Sequence, residues 1–436
     1  MTPLGGRDII ARNEFILPVV AKRKDKTMKR EIFTRQTNGV MLLMLAALLC
    51  AQVRPAQAQG RAQARRPQTL PQVDRGPRAP VKADHYLPSK PGNVVWGWFP
   101  TDALPVLTVK SGETVRIDTI SHQGATQAED PVTFLAPFGV KPQEILQDAR
   151  DFWASRAGRP RDQGRNGAHI LTGPVAISGA APGDTLEIQI LALSPRVLWG
   201  INTVSATSGV FGADYPGTRP GDPNPAIPAA PNPPNVIRTA VQNGREVALF
   251  SDKVRVPLSL FMGTMAVAPE NPQVGQPGVT AAGVQSSRPP GPYGGNMDCK
   301  ALVAGTSLFL PVFQPGALFY VGDPHGLMAD GEVSGNALEQ SLTGVFRFVV
   351  HKGMKIDAPR VETPTHYVMM GIDRDLNRAM RMATMEVVNF LVNEKGLTPA
   401  KAFSLASLAV DFHVSEAVDD TQNVSGYIPK RIFVGD

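Results

Sequence analysis

Short runs of alternating apolar and polar residues, more than helical spacing, set the pattern of this chain. Leu107-Thr-Val-Lys-Ser-Gly-Glu-Thr-Val-Arg-Ile-Asp-Thr-Ile120 predicts two strands joined at a Ser-Gly turn. Gly173 to Ile190 repeats that grammar: a strand reaches Pro182-Gly-Asp184, and Leu186, Ile188 and Ile190 then line one face of the next strand. The phrase Ser/Pro-Gly-Glu/Asp-Thr-Val/Leu-x-Ile thus occurs twice, which suggests a duplicated β unit. Asn296 to Phe319, Leu342 to Val350 and Ala409 to Val418 read as further strands. Helical patterns are few. One runs from Pro142 to Ala157 with Ile145, Leu146, Ala149, Phe152 and Trp153 on a face. A second is capped by Asp373 and runs to about Glu394, ending at Gly396; a third starts at Thr398-Pro399 and runs to about Leu408. These elements predict a mainly β fold with an α+β portion: a sandwich- or barrel-like core with a few helices toward the C-terminus.

The content of 41 Gly and 40 Pro fits that turn-rich architecture. Two Pro/Gly-dense stretches, 213–235 and 268–295, predict long loops of the kind that cover a site or mediate contacts. Residues 1–58 read as an export signal and leader. Lys29 and Arg30 precede the apolar run Val40–Leu49, and Ala56-Gln-Ala58 offers a small-x-small cleavage site. Met28 is a second candidate start. Cys50 would suit lipidation only with a small residue in place of Leu49. The apolar run is too short to span a bilayer comfortably, so the mature chain is expected to be periplasmic or secreted, without stable membrane insertion. Residues 59–83, rich in Gln, Arg and Pro, read as a disordered linker, and 84–436 as the folded domain.

Charge changes the picture by removing a function. The formal net charge is +6, but residues 1–58 carry ten Lys/Arg and four Asp/Glu, leaving 34 of each sign beyond them. A neutral folded domain gives no reason to expect nucleic-acid binding. Cleavage would leave Cys299 as the sole cysteine, with no internal disulfide and no motif marking a nucleophile. No Gly-x-Ser-x-Gly elbow, phosphate-binding Gly-rich loop or His-Glu-x-x-His helix is present.

The candidate chemistry lies at strand ends. Val321-Gly-Asp-Pro-His-Gly-Leu-Met-Ala-Asp-Gly-Glu-Val-Ser-Gly335 packs Asp323, His325, Asp330 and Glu332 into ten residues of Gly-rich backbone. His122 closes one strand pattern and His169 precedes another. Each histidine alone is compatible with a satisfied core or loop position; together with the dense carboxylates they point to a metal or acid–base site. Gly294-Gly-Asn-Met-Asp298 adds Asn296 and Asp298, which an extended strand would place on one face as two oxygen ligands. Mixed nitrogen and carboxylate donors suit Zn²⁺ better than Ca²⁺.

These motifs in this order resemble the acetamidase/formamidase family of metal-dependent amide hydrolases. The resemblance runs from about Val94 to Phe433. It is carried by His169–Asp184, Gly294–Asp298, Leu308–Phe319, Gly322-Asp-Pro-His325, Asp330-Gly-Glu332 and Leu408–Ser415. It implies a β-rich fold with an α+β portion, hydrolysis of formamide- or acetamide-like small amides to carboxylate and ammonia, and homo-oligomers. His122, Asp298 and His325 would then hold a divalent metal, with Glu332 as the base. Asp330 or Asp323 would orient ligands, and His169 and Asn296 would line the pocket. The family commonly has Gln-Gly before Asp-Gly-Glu; this chain has Met328-Ala329. Other readings of the same features are an exported, non-catalytic, cation-dependent binding module, with carbohydrate as one ligand class, and a hydrolase of cyclic amides.

Overall fold

The computed structural model describes residues 82–156, 167–204, 209–211 and 233–434. The leader, nearly all of the 59–83 segment and most of 213–235 lie outside them. The described residues are mainly strand, as the alternation predicts. A nine-stranded sheet runs, edge to edge, His85–Leu87, Thr114–Asp118, Leu342–His351, Thr185–Pro195, Thr306–Pro311, Arg360–Glu362, His366–Asp373, Gln422–Pro429 and Asp411–Glu416. A six-stranded sheet runs Gly294–Asn296, Phe261–Ala266, Phe319–His325, Ile170–Ser178 and Val94–Trp96, with Leu107–Lys110 also paired to Ile170–Ser178.

The two sheets share one core. Val115, Ile117, Leu186, Ile188, Ile190, Phe346 and Phe348 from the larger sheet pack in the same cluster as Leu171, Val175, Phe261, Met265, Phe319 and Val321 from the smaller. This is a sandwich, because each sheet has one apolar face and each buries it against the other.

The repeated phrase has a structural counterpart that differs from a pair of hairpins. In each copy the first strand belongs to the six-stranded sheet and the second to the nine-stranded one. The first strands lie parallel, Leu107 beside Val175 through Lys110 beside Ser178. The second strands, Thr114–Asp118 and Thr185–Pro195, flank Leu342–His351 on its two sides, both antiparallel to it. Gly112 and Gly183 turn the two corners at φ 95° and 90°, a left-handed conformation that glycine adopts without penalty.

Of the three helices expected, the first breaks in two, the second shifts its cap, and the third stands where the pattern places it. The run from Pro142 breaks into a single 3-10 turn, Pro142–Glu144, and a helix, Gln147–Ser155. Between them Ile145 and Leu146 are extended, which lets Ile145 join a buried cluster with Leu135, Val140 and Trp199. The long helix is Leu376–Asn393, and its cap is Asp375, whose carboxylate accepts from the Arg378 N–H at 2.9 Å. Asp373 instead ends the preceding strand and accepts from the Asp375 N–H. The last helix, Pro399–Ala409, is capped by Thr398.

A separate four-stranded sheet of Arg255–Pro257, Arg245–Leu249, Asn235–Gln242 and Trp199–Asn202 borders the sandwich. Residues 337–341 pass between them. Glu339 bridges by backbone to Ile201 on one side and to His325 on the other.

Candidate functional site

Asp323 and His325 stand at the end of Phe319–His325, two residues apart and fully buried. His325 Nε2 lies 3.2 Å from Asp323 Oδ2 and 3.4 Å from Glu339 Oε1, yet makes a well-formed hydrogen bond to neither. His122, past the end of Thr114–Asp118, places Nδ1 3.7 Å from Asp323 Oδ1. His169, just before Ile170–Ser178, places Nε2 3.8 Å from Asp323 Oδ2. Its Nδ1 faces the Ser287 carbonyl at 3.0 Å, and since a carbonyl only accepts, that nitrogen is the donor and Nε2 is turned toward Asp323.

Asp298 and Asp419 are held from behind. The Asn296 amide donates to Asp298 Oδ2 and to Asp419 Oδ2, each at 2.7 Å, while its oxygen accepts from the Thr264 hydroxyl at 2.6 Å. Asn296 therefore clamps two carboxylates. Asp298 does not share an extended strand with it: the strand ends at Asn296, and Asp298 turns inward at φ 43°. Asp323, Glu332 and Asp419 are also left-handed, at φ 51°, 41° and 55°. Each non-glycine residue held this way costs roughly 1–2 kcal/mol, so four strained carboxylates meet at one place.

Donor atoms lie within 4.8 Å of one another in each of four overlapping groups: His122, His169 and Asp323; Asp298, Asp323 and His325; His325, Glu332 and Glu339; and Asp298, Glu332 and Asp419. Gly263, within Phe261–Ala266, leaves the space beside Asp298, Asp323 and His325. A Cβ there would lie 2.4 Å from Asp298 Oδ1, 2.6 Å from Asp323 Oδ2 and 2.7 Å from His325 Cε1.

The electrostatics are those of a site short of positive charge. Burial, together with neighbouring carboxylates, pushes Asp298, Glu332 and Asp419 above the usual carboxylate range and Glu339 up to about 7. Asp323 goes the other way: burial opposes ionisation, but His169 and His325 hold its carboxyl well below the usual range. His325 is raised, since Asp323 and Glu339 outweigh the effect of burial. Asp298 Oδ1, Asp323 Oδ1, Glu339 Oε2 and both His325 nitrogens are buried without a hydrogen-bond partner. Buried donors of this kind, with nitrogen and oxygen mixed, fit a divalent cation.

Residues 239–434 match the acetamidase/formamidase family. Over those residues the chain is similar to that family. It is 31% identical over 209 residues to the acetamidase of Mycolicibacterium smegmatis, covering 38% of this chain and 49% of that one. It is 27% identical over 325 residues to the formamidase of Methylophilus methylotrophus, covering 63% and 79%. The crystal structure of an acetamidase from Bacillus halodurans superposes with a TM-score of 0.59 at 25% identity, covering 80% of this chain and 98% of that one. The chain spans between about half and four-fifths of the length of the curated relatives it matches.

The structure brings together His122, His169, Asn296, Asp298, Asp323, His325 and Glu332 of the sequence-predicted residues. It does not bring in Asp330. Gly331, at φ 92°, turns the chain between them, and Asp330 leaves to pair with Lys300 at 2.6 Å and His413 at 3.0 Å. Cys299 is fully buried against Ser425, and burial pushes its thiol up, the reverse of the shift that activates a cysteine nucleophile. Sequence reasoning missed Glu339 and Asp419. Asp419 sits in the turn between Asp411–Glu416 and Gln422–Pro429, where an Asp-Asp pair reads as ordinary turn chemistry. Glu339 lies in an irregular segment with no periodicity to mark it.

Proposed function

We propose that this chain hydrolyses amides of small carboxylic acids with a divalent cation, zinc in preference to calcium. The observation that carries the reading is the meeting of three histidines and five carboxylates in four overlapping groups, with Asp298, Asp323 and His325 beside Gly263 and several donor atoms buried and unpartnered. The names of the family's characterised members supply the reaction class.

His122, His169, Asp298, Asp323 and His325 would hold the cation. Bound there, it would supply Lewis acidity that polarises an amide carbonyl and acidifies water. Glu332 is the group placed to move the proton: it is buried, close to Asp298 and His325, and burial raises its proton affinity. It takes a proton from water as the water oxygen bonds to the acyl carbon. As the carbon–nitrogen bond breaks, it returns that proton to the departing nitrogen, which leaves as ammonia. Asn296 keeps Asp298 and Asp419 apart and aimed inward, and Arg288, 3.3 Å from Asp419, offsets charge at the mouth.

The test is chelation. Dialysis against a chelator should abolish ammonia release, and stoichiometric Zn²⁺ should restore it. Elemental analysis of active protein that finds no stoichiometric metal would remove this reading. Two further parts of the proposal concern the chain as a whole. Export predicts a mature N-terminus at about Gln59 in protein from the native host, and retention of residues 29–58 on soluble cytoplasmic protein would refute it. Self-association predicts a mass above that of the monomer in light scattering.

A further inference from the structure

We infer that the amides turned over at this site carry a bulky apolar acyl group, seated in a second cavity beside Glu332; this rests on the amide-hydrolysis reading above. The polar cavity holding His122, His169, Asp323, Glu339 and Asp419 has a volume of about 270 Å³. A second cavity of the same volume lies between the four-stranded sheet and the loop that follows Phe319–His325. Glu332 and Asn336 line both.

The second cavity has the opposite chemistry. Ile237, Ala248, Val256, Leu327, Met328 and Leu338 give it apolar walls, and Asp330, which also lines it, is paired with Lys300 and His413. Ile237, Ala248 and Leu338 are themselves a small buried core, so the floor is packed rather than collapsible. Phe250, half exposed, and Val333 continue the apolar surface to the rim. The Asn202 amide is already committed to the Asn336 and Ala337 carbonyls, so it asks nothing of a ligand.

Size then decides the class of substrate. Apolar cavities of about 150 Å³ take up a benzene-sized group. The hydrogen of formamide or the methyl of acetamide would leave most of 270 Å³ unfilled. A phenyl ring or an alkyl chain of about five or six carbons would fill it. One loop thus carries the proton-moving carboxylate toward the polar cavity and Leu327, Met328 and Leu338 toward the apolar one. An acyl group in the second cavity would emerge with its carbonyl beside Glu332.

The experiment is a series of primary amides (acetamide, butyramide, hexanamide and phenylacetamide) with the zinc-loaded full chain. The expected result is a rise in kcat/KM of about fourfold per added methylene until the cavity is full, the usual worth of a buried methylene. Val256→Phe, on the half-buried cavity wall, should flatten that rise and leave the acetamide rate unchanged. Ala248→Phe should do the same from the floor, with melting temperature as the check that it folds. Acetamide cleaved with no gain from chain length would overturn this inference and leave the hydrolytic reading standing. Calorimetric titration with hexanoate separates the remaining case. If no amide is cleaved but hexanoate binds, and Val256→Phe weakens it, the hydrolytic reading fails and the cavity's specificity does not; if hexanoate fails to bind as well, both fail.

Discussion

Replacing Gly263 with Ala adds one methyl group where the donors converge. The backbone there is not left-handed, so the substitution strains nothing locally. The new Cβ would nevertheless start 2.4 Å from Asp298 Oδ1 and 2.6 Å from Asp323 Oδ2. Ordinary contact needs about 3.5 Å, so two carboxylates must each retreat by about 1 Å. Metal sites tolerate displacements of about 0.2 Å. The retreat cannot be shared out easily, because the Met297 and Asp298 N–H groups are both bonded to the Gly263 carbonyl at 3.0 and 3.3 Å. We therefore expect Gly263→Ala to lower metal affinity by at least the 10–100-fold lost when a ligand's orienting partner is removed, and ammonia release with it. Global stability should fall by at most about 2–3 kcal/mol. Overpacking costs about 1–3 kcal/mol, and the loss of glycine's unfolded-state freedom returns about 0.4–1 kcal/mol. The assay is metal content after dialysis, rate and melting temperature on one preparation. Gly92→Ala is the control, since a Cβ there meets nothing within 4 Å. Gly263→Ala protein with full metal and parental rate would refute the placement of the cation.

Glu332→Gln should cut the rate about 10²–10⁴-fold with metal content and melting temperature little changed; loss of metal with the rate would make Glu332 a ligand instead. Asp330→Asn should leave rate and metal content near parental, because that carboxylate faces Lys300 and His413, and a collapse in either would refute its exclusion. Thr398→Ala should cost about 1 kcal/mol in denaturant unfolding, as the hydroxyl caps Pro399–Ala409. Burial pushes the Asp148 carboxyl up, but Ser89 and Arg196 hold it below its ordinary value. Its stabilisation is accordingly present above about pH 4 and lost as pH falls through the native value. Asp148→Asn should flatten the acid limb of the stability–pH curve, and an unchanged limb would count against the pair.

The strands were legible because a half-buried strand must alternate, and Leu186, Ile188 and Ile190 do so with no ambiguity of face. The sheet to which each strand belongs was not, since a tight Pro-Gly corner and a hairpin turn use the same residues. His122, His169 and His325 could be singled out as residue types at strand ends. Their meeting at Asp323 depends on pairings between distant strands, which no local pattern records. Asp330 misled for a physical reason: Asp-Gly-Glu reads as one unit, but across the left-handed glycine Asp330 pairs with Lys300 and His413 while Glu332 joins the buried donors. Ile145 and Leu146 have helical spacing, and burial beside Trp199 overrode it.

The strand Leu342–His351 joins Thr114–Asp118 to Thr185–Pro195, and the Thr343 hydroxyl donates to Asp118 across 225 positions of sequence. Closing a sheet over such separations is slow, because the entropy of loop closure precedes any reward from the contact. A chain being synthesised must expose two incomplete strand edges until position 351 has been made, and those edges are templates for pairing with other chains. Recovery of active protein after refolding should therefore fall as protein concentration rises, even where the finished fold is stable. Encounters between half-finished sheets would then set how much of this protein a cell, or a refolding vessel, obtains.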